Sequence, residues 1–243
     1  MPEGPSIVLL KEAVAAFAGK RIIAVHGNAK IDMESLAGQK LLSFNSWGKH
    51  LLISFKDFYV RIHLLMFGSY MINAKKDRPE RLSLVFKQGE INFYSCSVKL
   101  LPGKVEADYD FSADVMNEEW DSSKAKRKLK EIPDRLICDA LLDQDIFSGV
   151  GNIIKNEVLY RVRIHPESVI KKIPAARISK LIQETRNYSF EFLAWKRNNE
   201  LKKHWLAHTK KTCTRCDLPL TKKYTGIKKR RSFFCDNCQQ LYR

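Results

Sequence analysis

The stretch 141–166, LLDQDIFSGVGNIIKNEVLYRVRIHP, predicts two apolar helices joined by a glycine-containing turn. Gly149 and Gly151 permit backbone angles that are closed to other residues, and Asn152 stands where the N-cap of the second helix is expected. The free backbone amides at such a helix start can bind a phosphate oxygen. The same pattern also occurs in plain helix connections, in which Asn152 would only cap the helix, so the stretch alone leaves both interpretations open.

Helical patterning continues on both sides of this turn, from Ser123 to about His204. The chain before it has a different pattern, in which short strand-like runs dominate. Apolar residues at helical spacing predict a helix over Ile7–Phe17 with a stop at Gly19, and seven short runs rich in Ile, Leu, Val, Phe and Tyr follow within residues 21–95. Strands spaced this closely predict an antiparallel sandwich or barrel.

The acidic, turn-rich segment at residues 106–123 is typical of a linker between these two regions. We therefore predict an α+β fold in which a helical half follows a β-rich half. Its predicted parts are an N-terminal β-sandwich domain with a leading helix (1–115), a hinge (116–125), a helical domain (126–205) and a short C-terminal piece (206–243).

The chain of 243 residues is strongly basic, with 43 Lys and Arg against 27 Asp and Glu and a formal net charge of +16. Such a surplus favours a polyanionic partner, with nucleic acid ahead of an anionic membrane, although charge can also serve solubility alone. No apolar run reaches the roughly 18 residues of a membrane span, and the first residues lack the pattern of a secretory signal. We expect a basic cytoplasmic protein with no membrane partner.

Four of the six cysteines stand in two C-x-x-C pairs, Cys213 with Cys216 and Cys235 with Cys238. Thiolates at this spacing can bind one tetrahedral ion from two sides. A segment below about 40 residues buries too little surface to fold alone, so a metal would supply the missing stability. Disulfides or redox-active dithiols are the alternative. We predict one structural Zn²⁺, because disulfides are rare in cytosolic proteins.

The loop between the two cysteine pairs is strongly basic. Two antiparallel strands around a tip, fastened by the metal, would present its cations to a nucleic-acid backbone. A solvated charge run is the alternative, but a loop held by a metal favours nucleic acid. The cations of the loop are Lys222, Lys223, Lys228, Lys229, Arg230 and Arg231.

Together with two shorter segments, these features resemble the formamidopyrimidine-DNA glycosylase and endonuclease VIII family of base-excision repair enzymes. The two segments are PEGP at residues 2–5 and GKHLL at residues 48–52, and the resemblance runs in the same order along nearly the whole chain. It implies a catalytic β-sandwich domain, a helix-two-turn-helix DNA-binding domain and a C-terminal zinc finger. It also implies damaged double-stranded DNA as the partner, and we expect a monomer that meets DNA at a bacterial nucleoid.

The resemblance implies a covalent mechanism at the N-terminus. Loss of Met1 would expose the secondary amine of Pro2 as the nucleophile, with Glu3 as the neighbouring acid. An α-amino group has an ordinary pKa of about 7.7–8.0, so part of it is uncharged at neutral pH. Its attack on C1′ of the deoxyribose would displace the base and leave an iminium. Elimination would then cut the strand on both sides of the lesion, with Glu3 passing a proton to the sugar or the leaving group.

The resemblance also implies a set of DNA contacts. Lys49 matches a catalytic lysine that reaches the phosphate and sugar at the lesion. Asn152 matches the phosphate ligand of the helix-two-turn-helix, and Arg230 matches the finger arginine, with Arg231 as the adjacent alternative. Taken singly, these are a polar strand residue, a helix cap and a surface charge. The wedge that fills the gap left by an everted base matches Leu65, Met66 and Phe67, which alone would suggest sandwich core.

The chain departs from the family pattern at Ser6, where most relatives carry a second acid. We therefore predict slower or altered base removal with strand cleavage at abasic sites preserved. The N-terminal and wedge segments are closer to the endonuclease VIII branch, which predicts oxidised pyrimidines over oxidised purines. The alternative is a non-catalytic or lyase-only DNA-damage binder of the same fold. A zinc-ribbon RNA-binding protein would leave PEGP and Lys49 unexplained.

Overall fold

The computed structural model of the protein describes residues 2–243, which form two compact units, one ending at Tyr109 and one running from Asp110 to Arg243. The predicted loss of Met1 lies outside the described residues. The predicted α+β fold is confirmed, because the first unit is β-rich and the second is helical and carries the four-cysteine segment. Within residues 2–243, no helix is both long and apolar enough to cross a membrane.

The first unit begins with helix α1 (Gly4–Val14), which a 3-10 turn (Ala15–Phe17) extends. Its strands are β1 (Ile22–His26), β2 (Ser43–Trp47), β3 (His50–Ser54), β4 (Phe58–His63), β5 (Ser69–Ile72), β6 (Leu82–Phe86), β7 (Gly89–Tyr94) and β8 (Ser97–Pro102), and helix α2 (Val105–Asp108) follows them. They form two antiparallel sheets with the strand orders β1-β6-β7-β5 and β2-β3-β4-β8.

The two sheets and α1 pack around one core, and residues along the strands alternate between buried and more exposed positions. In β4, Val60 and Ile62 belong to this core, while Arg61 and His63 lie on the other face of the sheet, as the two-residue period of a strand requires. The apolar face of α1 joins the same core and packs on β2 and β3. The predicted leading helix and sandwich therefore account for the first unit.

One strand of this unit, β8, was not among the predicted runs. Its sequence SVKLLP contains a lysine and a proline and follows β7 after only two residues, so the local pattern is weak. Val98 packs in the core, and the strand pairs along its whole length with β4. Strand β8 therefore forms because it pairs with a strand more than 30 residues earlier in the chain. Local patterning does not encode such a pairing.

The second unit is built on four helices and one hairpin. The helices are α3 (Ser122–Glu131), α4 (Ile137–Ala140), α5 (Asn152–Arg161) and α6 (Ala175–Arg197), and the hairpin strands are β9 (Thr221–Thr225) and β10 (Arg230–Phe234). Short 3-10 turns occur at Phe111–Ala113, Ile170–Lys172 and Leu201–His204. Helices α3 and α5 pack against α6 over a shared apolar core. This agrees with the helical pattern predicted from Ser123 to about His204.

The segment predicted to be a hinge, residues 116–125, lies within the second unit. Met116 and Trp120 pack against the core of that unit. The Asp121 carboxylate accepts the backbone N–H groups of Ser123 and Lys124 at 2.8 and 3.0 Å, which caps α3. The predicted four-part division of the chain, including this hinge, stays a prediction.

Candidate nucleic-acid interface and metal centre

The N-terminal segment places a buried acid next to an accessible proline. Pro2 is half-buried, whereas Glu3 is 0% exposed. Glu3 precedes α1, and its backbone carbonyl accepts the N–H of Ser6 at 2.8 Å. Fully buried glutamates are uncommon unless they are partnered. The Glu3 side chain is therefore withdrawn from water at the start of α1, next to Pro2.

Lys49 lies in the two-residue turn between β2 and β3, where Trp47 pairs with His50. Gly48, the first residue of this turn, has φ +55°, a conformation that favours glycine. Helix α1 packs on the same two strands. The sandwich thus carries Lys49 at the end of the hairpin on which α1 rests.

A pair of histidines beside Lys49 was not singled out from the sequence. His50 and His63 are register partners on β3 and β4, with ring centroids 5.1 Å apart. Burial, with the charges of His63, Arg61 and Lys49, lowers the pKa of His50 to about 3. Burial and the charges of Lys49 and Arg61 also lower the pKa of His63. Both imidazoles are therefore neutral at pH 7, in a region whose fixed charges are cationic.

The Leu64–Gly68 turn exposes the three residues predicted as a wedge. Leu65, Met66 and Phe67 are 48%, 51% and 79% exposed, so they are not sandwich core. The N–H of Gly68 donates to the carbonyl of Leu64 at 2.7 Å, and a Cβ at Gly68 would collide with that carbonyl. The glycine thus allows a tight turn that turns three apolar side chains outward. Their role as a wedge stays a prediction.

The predicted placement of Asn152 as an N-cap is wrong. The N-cap of α5 is Gly151, and Asn152 is the first residue inside the helix. Its side-chain Nδ2 donates to the carbonyl oxygen of Arg231 on β10 at 2.9 Å. Asn152 does not cap because its amide reaches out of the helix towards a strand 79 residues later in the chain.

Helix α5 holds the C-terminal hairpin and its approach segment through buried polar groups. Nζ of Lys155, which is 0% exposed, donates to the hydroxyl of Ser232 at 2.8 Å. Nδ2 of Asn156 lies 3.1 Å from Nδ1 of His208. The buried Glu157 carboxylate accepts three consecutive backbone N–H groups, those of Leu206, Ala207 and His208, at 2.8, 2.9 and 2.6 Å. Burial raises the pKa of Glu157, and these bonds oppose that shift.

The four predicted metal ligands come together in one cluster. The Sγ atoms of Cys213, Cys216, Cys235 and Cys238 all lie within 4.8 Å of one another. Cys213 and Cys238 are 3.8 Å apart and Cys216 and Cys235 are 3.5 Å apart. Four thiolates at about 2.3 Å from a central Zn²⁺ have edges of about 3.8 Å, so this donor set fits a tetrahedral zinc ion. None of the six cysteines is in a disulfide.

The hairpin separates its six cations into different environments. Lys223 forms an ion pair with Glu167 at 2.8 Å, and Nζ of Lys228 donates to the carbonyl of Leu142 at 2.9 Å. Arg231 donates to the hydroxyl of Tyr224 at 2.7 Å, with its guanidinium over that ring. Neighbouring residues of a strand point to opposite faces, so Arg230 lies on the face of Ser232, which contacts α5.

The predicted site residues fall into two groups. Pro2, Glu3, Lys49 and the wedge residues lie in the first unit, and Asn152, Arg230, Arg231 and the four cysteines lie in the second. Within the second unit, the structure brings Asn152 directly against the backbone of Arg231. Local sequence patterns carry no signal for the contacts of His208 or Lys155, because each contact depends on a residue more than 50 positions away.

Two family models match the chain. The formamidopyrimidine-DNA glycosylase N-terminal domain matches residues 1–96, and the formamidopyrimidine-DNA glycosylase H2TH domain matches residues 111–190. Endonuclease 8-like 3 of Mus musculus is 30% identical over 203 residues, which cover 79% of this chain and 33% of that protein. Formamidopyrimidine-DNA glycosylase of Acinetobacter baylyi is 26% identical and is matched over the full length of both chains.

A solved structure shares the fold. The formamidopyrimidine-DNA glycosylase of Lactococcus lactis, bound non-covalently to DNA containing an abasic site, superposes with a TM-score of 0.85 at 20% identity, over 98% of this chain and 99% of that one. The chain spans only 33% to 46% of the length of the endonuclease 8-like 3 proteins that it matches.

Proposed function

The chain belongs to the formamidopyrimidine-DNA glycosylase and endonuclease VIII family, and from this premise we propose that it is a bifunctional DNA glycosylase and abasic-site lyase. In this proposal it removes oxidised bases from double-stranded DNA and cleaves the strand by β,δ-elimination. The observation that carries the proposal is the PEGP terminus, in which a fully buried Glu3 adjoins a half-buried Pro2.

Pro2 and Glu3 divide the proposed chemistry between them. After removal of Met1, the Pro2 nitrogen attacks C1′ and forms a C–N bond as the bond to the base breaks, and the base leaves with a proton supplied through Glu3. The Pro2 nitrogen loses its own proton, and the sugar ring opens as the C1′–O4′ bond breaks and Glu3 supplies a proton to O4′, which gives the iminium. Loss of a C2′ proton then expels the 3′ phosphate, and a second elimination expels the 5′ phosphate. Water hydrolyses the remaining iminium and releases the amine. Burial of Glu3 supports this role, because a carboxyl shielded from water is suited to moving a proton.

The DNA-binding part of the proposal rests on cationic and helix-terminal groups. Lys49, with neutral His50 and His63 beside it, offers a site for the phosphate at the lesion. In the second unit, the start of α5 at Asn152 and the hairpin at Arg230 offer two more phosphate contacts. Arg230 is favoured over Arg231 because it matches the finger arginine of the family.

We infer that the four-cysteine cluster binds one structural Zn²⁺. Its thiolates would hold the ion between the two ends of the hairpin, which lacks a large core of its own. The contact between the Tyr160 hydroxyl and Sγ of Cys213, at 3.2 Å, ties one ligand to α5. The ion would serve folding, since all four positions around it are protein thiolates.

The lyase proposal is tested by borohydride trapping on a duplex with a single abasic site. Protein whose intact mass shows that Pro2 is the first residue should form a covalent adduct with the DNA. A matched chain with an uncleaved N-terminal extension, in which the Pro2 nitrogen is an amide, should form none. Equal trapping by both chains would contradict Pro2 as nucleophile, and no trapping by the first would favour a non-catalytic damage binder.

The substrate proposal is oxidised pyrimidines and abasic sites ahead of oxidised purines. It rests on the endonuclease VIII-like start and wedge segments, and Ser6 supports slower base removal than strand cleavage. Single-turnover incision of matched duplexes, each with an oxidised pyrimidine, an oxidised purine or an abasic site, tests it. The abasic duplex should be cut fastest and the pyrimidine duplex second. Equal rates on base lesions and abasic sites would contradict the expected effect of Ser6.

A further inference from the structure

Asp139 is a buried acid with no role in the proposed reaction. It lies on the short helix α4 and is 2% exposed. Its carboxylate faces the tip of the hairpin, residues 226–229. Oδ2 accepts the backbone N–H of Ile227 at 2.9 Å, and Oδ1 faces the N–H of Lys228 at 3.4 Å. Burying a carboxylate costs free energy unless backbone or other donors satisfy it. The donors that satisfy Asp139 come from the hairpin tip.

The tip is shaped to receive this carboxylate. Gly226 has φ +70°, and a Cβ on it would collide with the Asp139 carboxylate. The glycine is therefore required twice, once for its backbone conformation and once for the close approach. The turn closes with the N–H of Lys229 on the carbonyl of Gly226 at 3.2 Å.

Neighbours of Asp139 hold the same end of the hairpin. The hydroxyl of Thr225, at the end of β9, contacts the thiol of Cys138. Nζ of Lys228 donates to the carbonyl of Leu142 at 2.9 Å. The stretch 138–142 thus contacts Thr225 at the end of β9 once and the tip twice, through the backbone N–H groups that face Asp139 and through the Lys228 side chain.

The other side of the hairpin is held by α5. Asn152 and Asn156 both donate to the carbonyl of Arg231, at 2.9 and 3.3 Å. Residues 229 and 230 lie between this anchor and the Asp139 contact. Helix α4 therefore holds the hairpin before Lys229 and Arg230, and helix α5 holds it after them.

We propose that Asp139 is a positioning residue that fixes the hairpin tip so that Lys229 and Arg230 meet DNA phosphates; this inference rests on the proposed function. A tip held in one conformation before binding avoids the entropy cost of ordering it on DNA. Without the Asp139 contacts, the tip samples several conformations and the phosphate contacts form less often.

The test compares Asp139→Asn with wild type in zinc-loaded protein. Asn keeps the shape but presents an NH₂ group to a backbone N–H. Binding to a duplex with a non-cleavable abasic analogue is measured from low to high salt. We expect a weaker affinity by roughly 3–10-fold at physiological salt and a log–log salt slope smaller by about one phosphate contact, near 0.9.

A double-variant cycle separates positioning from general destabilisation. If Asp139 acts through the tip, Asp139→Asn should change neither slope nor affinity appreciably in a background that carries both Lys229→Ala and Arg230→Ala, because both phosphate contacts are already lost. Gly226→Ala should reproduce the effect of Asp139→Asn. The matched control is Asp143→Asn, which removes a carboxylate that accepts a hydrogen bond from Arg135 at 2.6 Å; its slope should equal that of wild type.

Each outcome bears on a different claim. An unchanged slope in Asp139→Asn, or a loss of affinity that adds fully to that of the Lys229→Ala and Arg230→Ala double variant, would overturn the positioning role. Equal slope changes in Asp143→Asn would overturn it as well, since any destabilisation of this unit would then suffice. Failure of the wild-type protein to bind the abasic duplex would instead contradict the proposed function.

Discussion

At the scale of single residues, the chemistry depends on charged groups that the fold withdraws from water. Glu3, Lys155 and Glu157 are each 0% exposed. Lys155 and Glu157 have structural partners in the C-terminal hairpin and its approach segment. Glu3 lies at the terminus that supplies the proposed nucleophile, and in the proposed mechanism it transfers a proton. Buried charges persist where partners or function require them.

Glu3→Gln should separate chemistry from binding. The amide has nearly the same shape but cannot transfer a proton, so we expect single-turnover base release to fall by about 10²–10⁴-fold. Affinity for a non-cleavable abasic duplex should stay within about threefold. The matched control is Glu12→Gln on the exposed face of α1, which should release base at the wild-type rate. A Glu3→Gln enzyme with near wild-type rates would exclude the acid role.

His50 should make the protein sensitive to acid. Its pKa is about 3 in the folded chain against an ordinary value of 6.5, so the unfolded chain takes up the proton first as pH falls. Stability present above about pH 6.5 is therefore lost progressively between pH 6.5 and pH 3. His50→Phe removes this titration, and calorimetry at pH 7.5 and pH 5.0 should show a smaller drop in Tm than in wild type. The exposed variant His26→Phe should drop as much as wild type, and identical drops in all three proteins would contradict the assignment.

At the scale of elements, α5 is the scaffold of the second unit. Residues Ile154–Tyr160 of this ten-residue helix are all buried, because α6 covers one side and the C-terminal hairpin with its approach segment covers another. A helix buried on every face has no clear amphipathic pattern. Its polar residues Asn152, Lys155, Asn156 and Glu157 serve as hairpin anchors.

Glu157→Gln should weaken the attachment of the four-cysteine segment to α5, although it changes no cysteine. The amide retains one acceptor oxygen for three backbone N–H groups, and an unsatisfied buried donor costs about 1–3 kcal/mol. We expect a lower Tm and faster zinc loss to a chelator, followed with a zinc indicator dye. Glu184→Gln, which alters the partner of Arg161 away from the finger, is the control. Equal zinc release from both variants would argue against this anchoring.

The turn at Leu64–Gly68 should tolerate truncation of its apolar side chains. Because Phe67 is 79% exposed, Phe67→Ala should change the free energy of unfolding by no more than about 0.5 kcal/mol. Excision from a paired duplex should slow, since everting a base costs a few kcal/mol and the wedge replaces lost stacking. Strand cleavage at an abasic site should slow less. A large loss of stability would instead show that Phe67 supports the fold.

At the scale of the whole molecule, local patterns were sufficient for the fold class and for the metal cluster, but not for strand β8, which long-range pairing with β4 decides. Helix and strand periodicity, and C-x-x-C spacing, are encoded within a few residues, so α1, the sandwich and the cysteine pairs could be predicted. The role of Asn152, the His50 and His63 pairing and the Asp139 contact could not. Each depends on strand register or on partners from 13 to 89 residues away, which one sequence does not specify.

The central claim, a covalent bond from the N-terminal proline to the sugar, is tested most directly by mapping the adduct. Borohydride-reduced enzyme from an abasic-site reaction is digested with trypsin and nuclease and examined by mass spectrometry. The account predicts the added sugar mass on the peptide Pro2–Lys11, at its first residue. The same mass on a peptide containing Lys49, or on any other lysine, with Pro2–Lys11 unmodified, would contradict it.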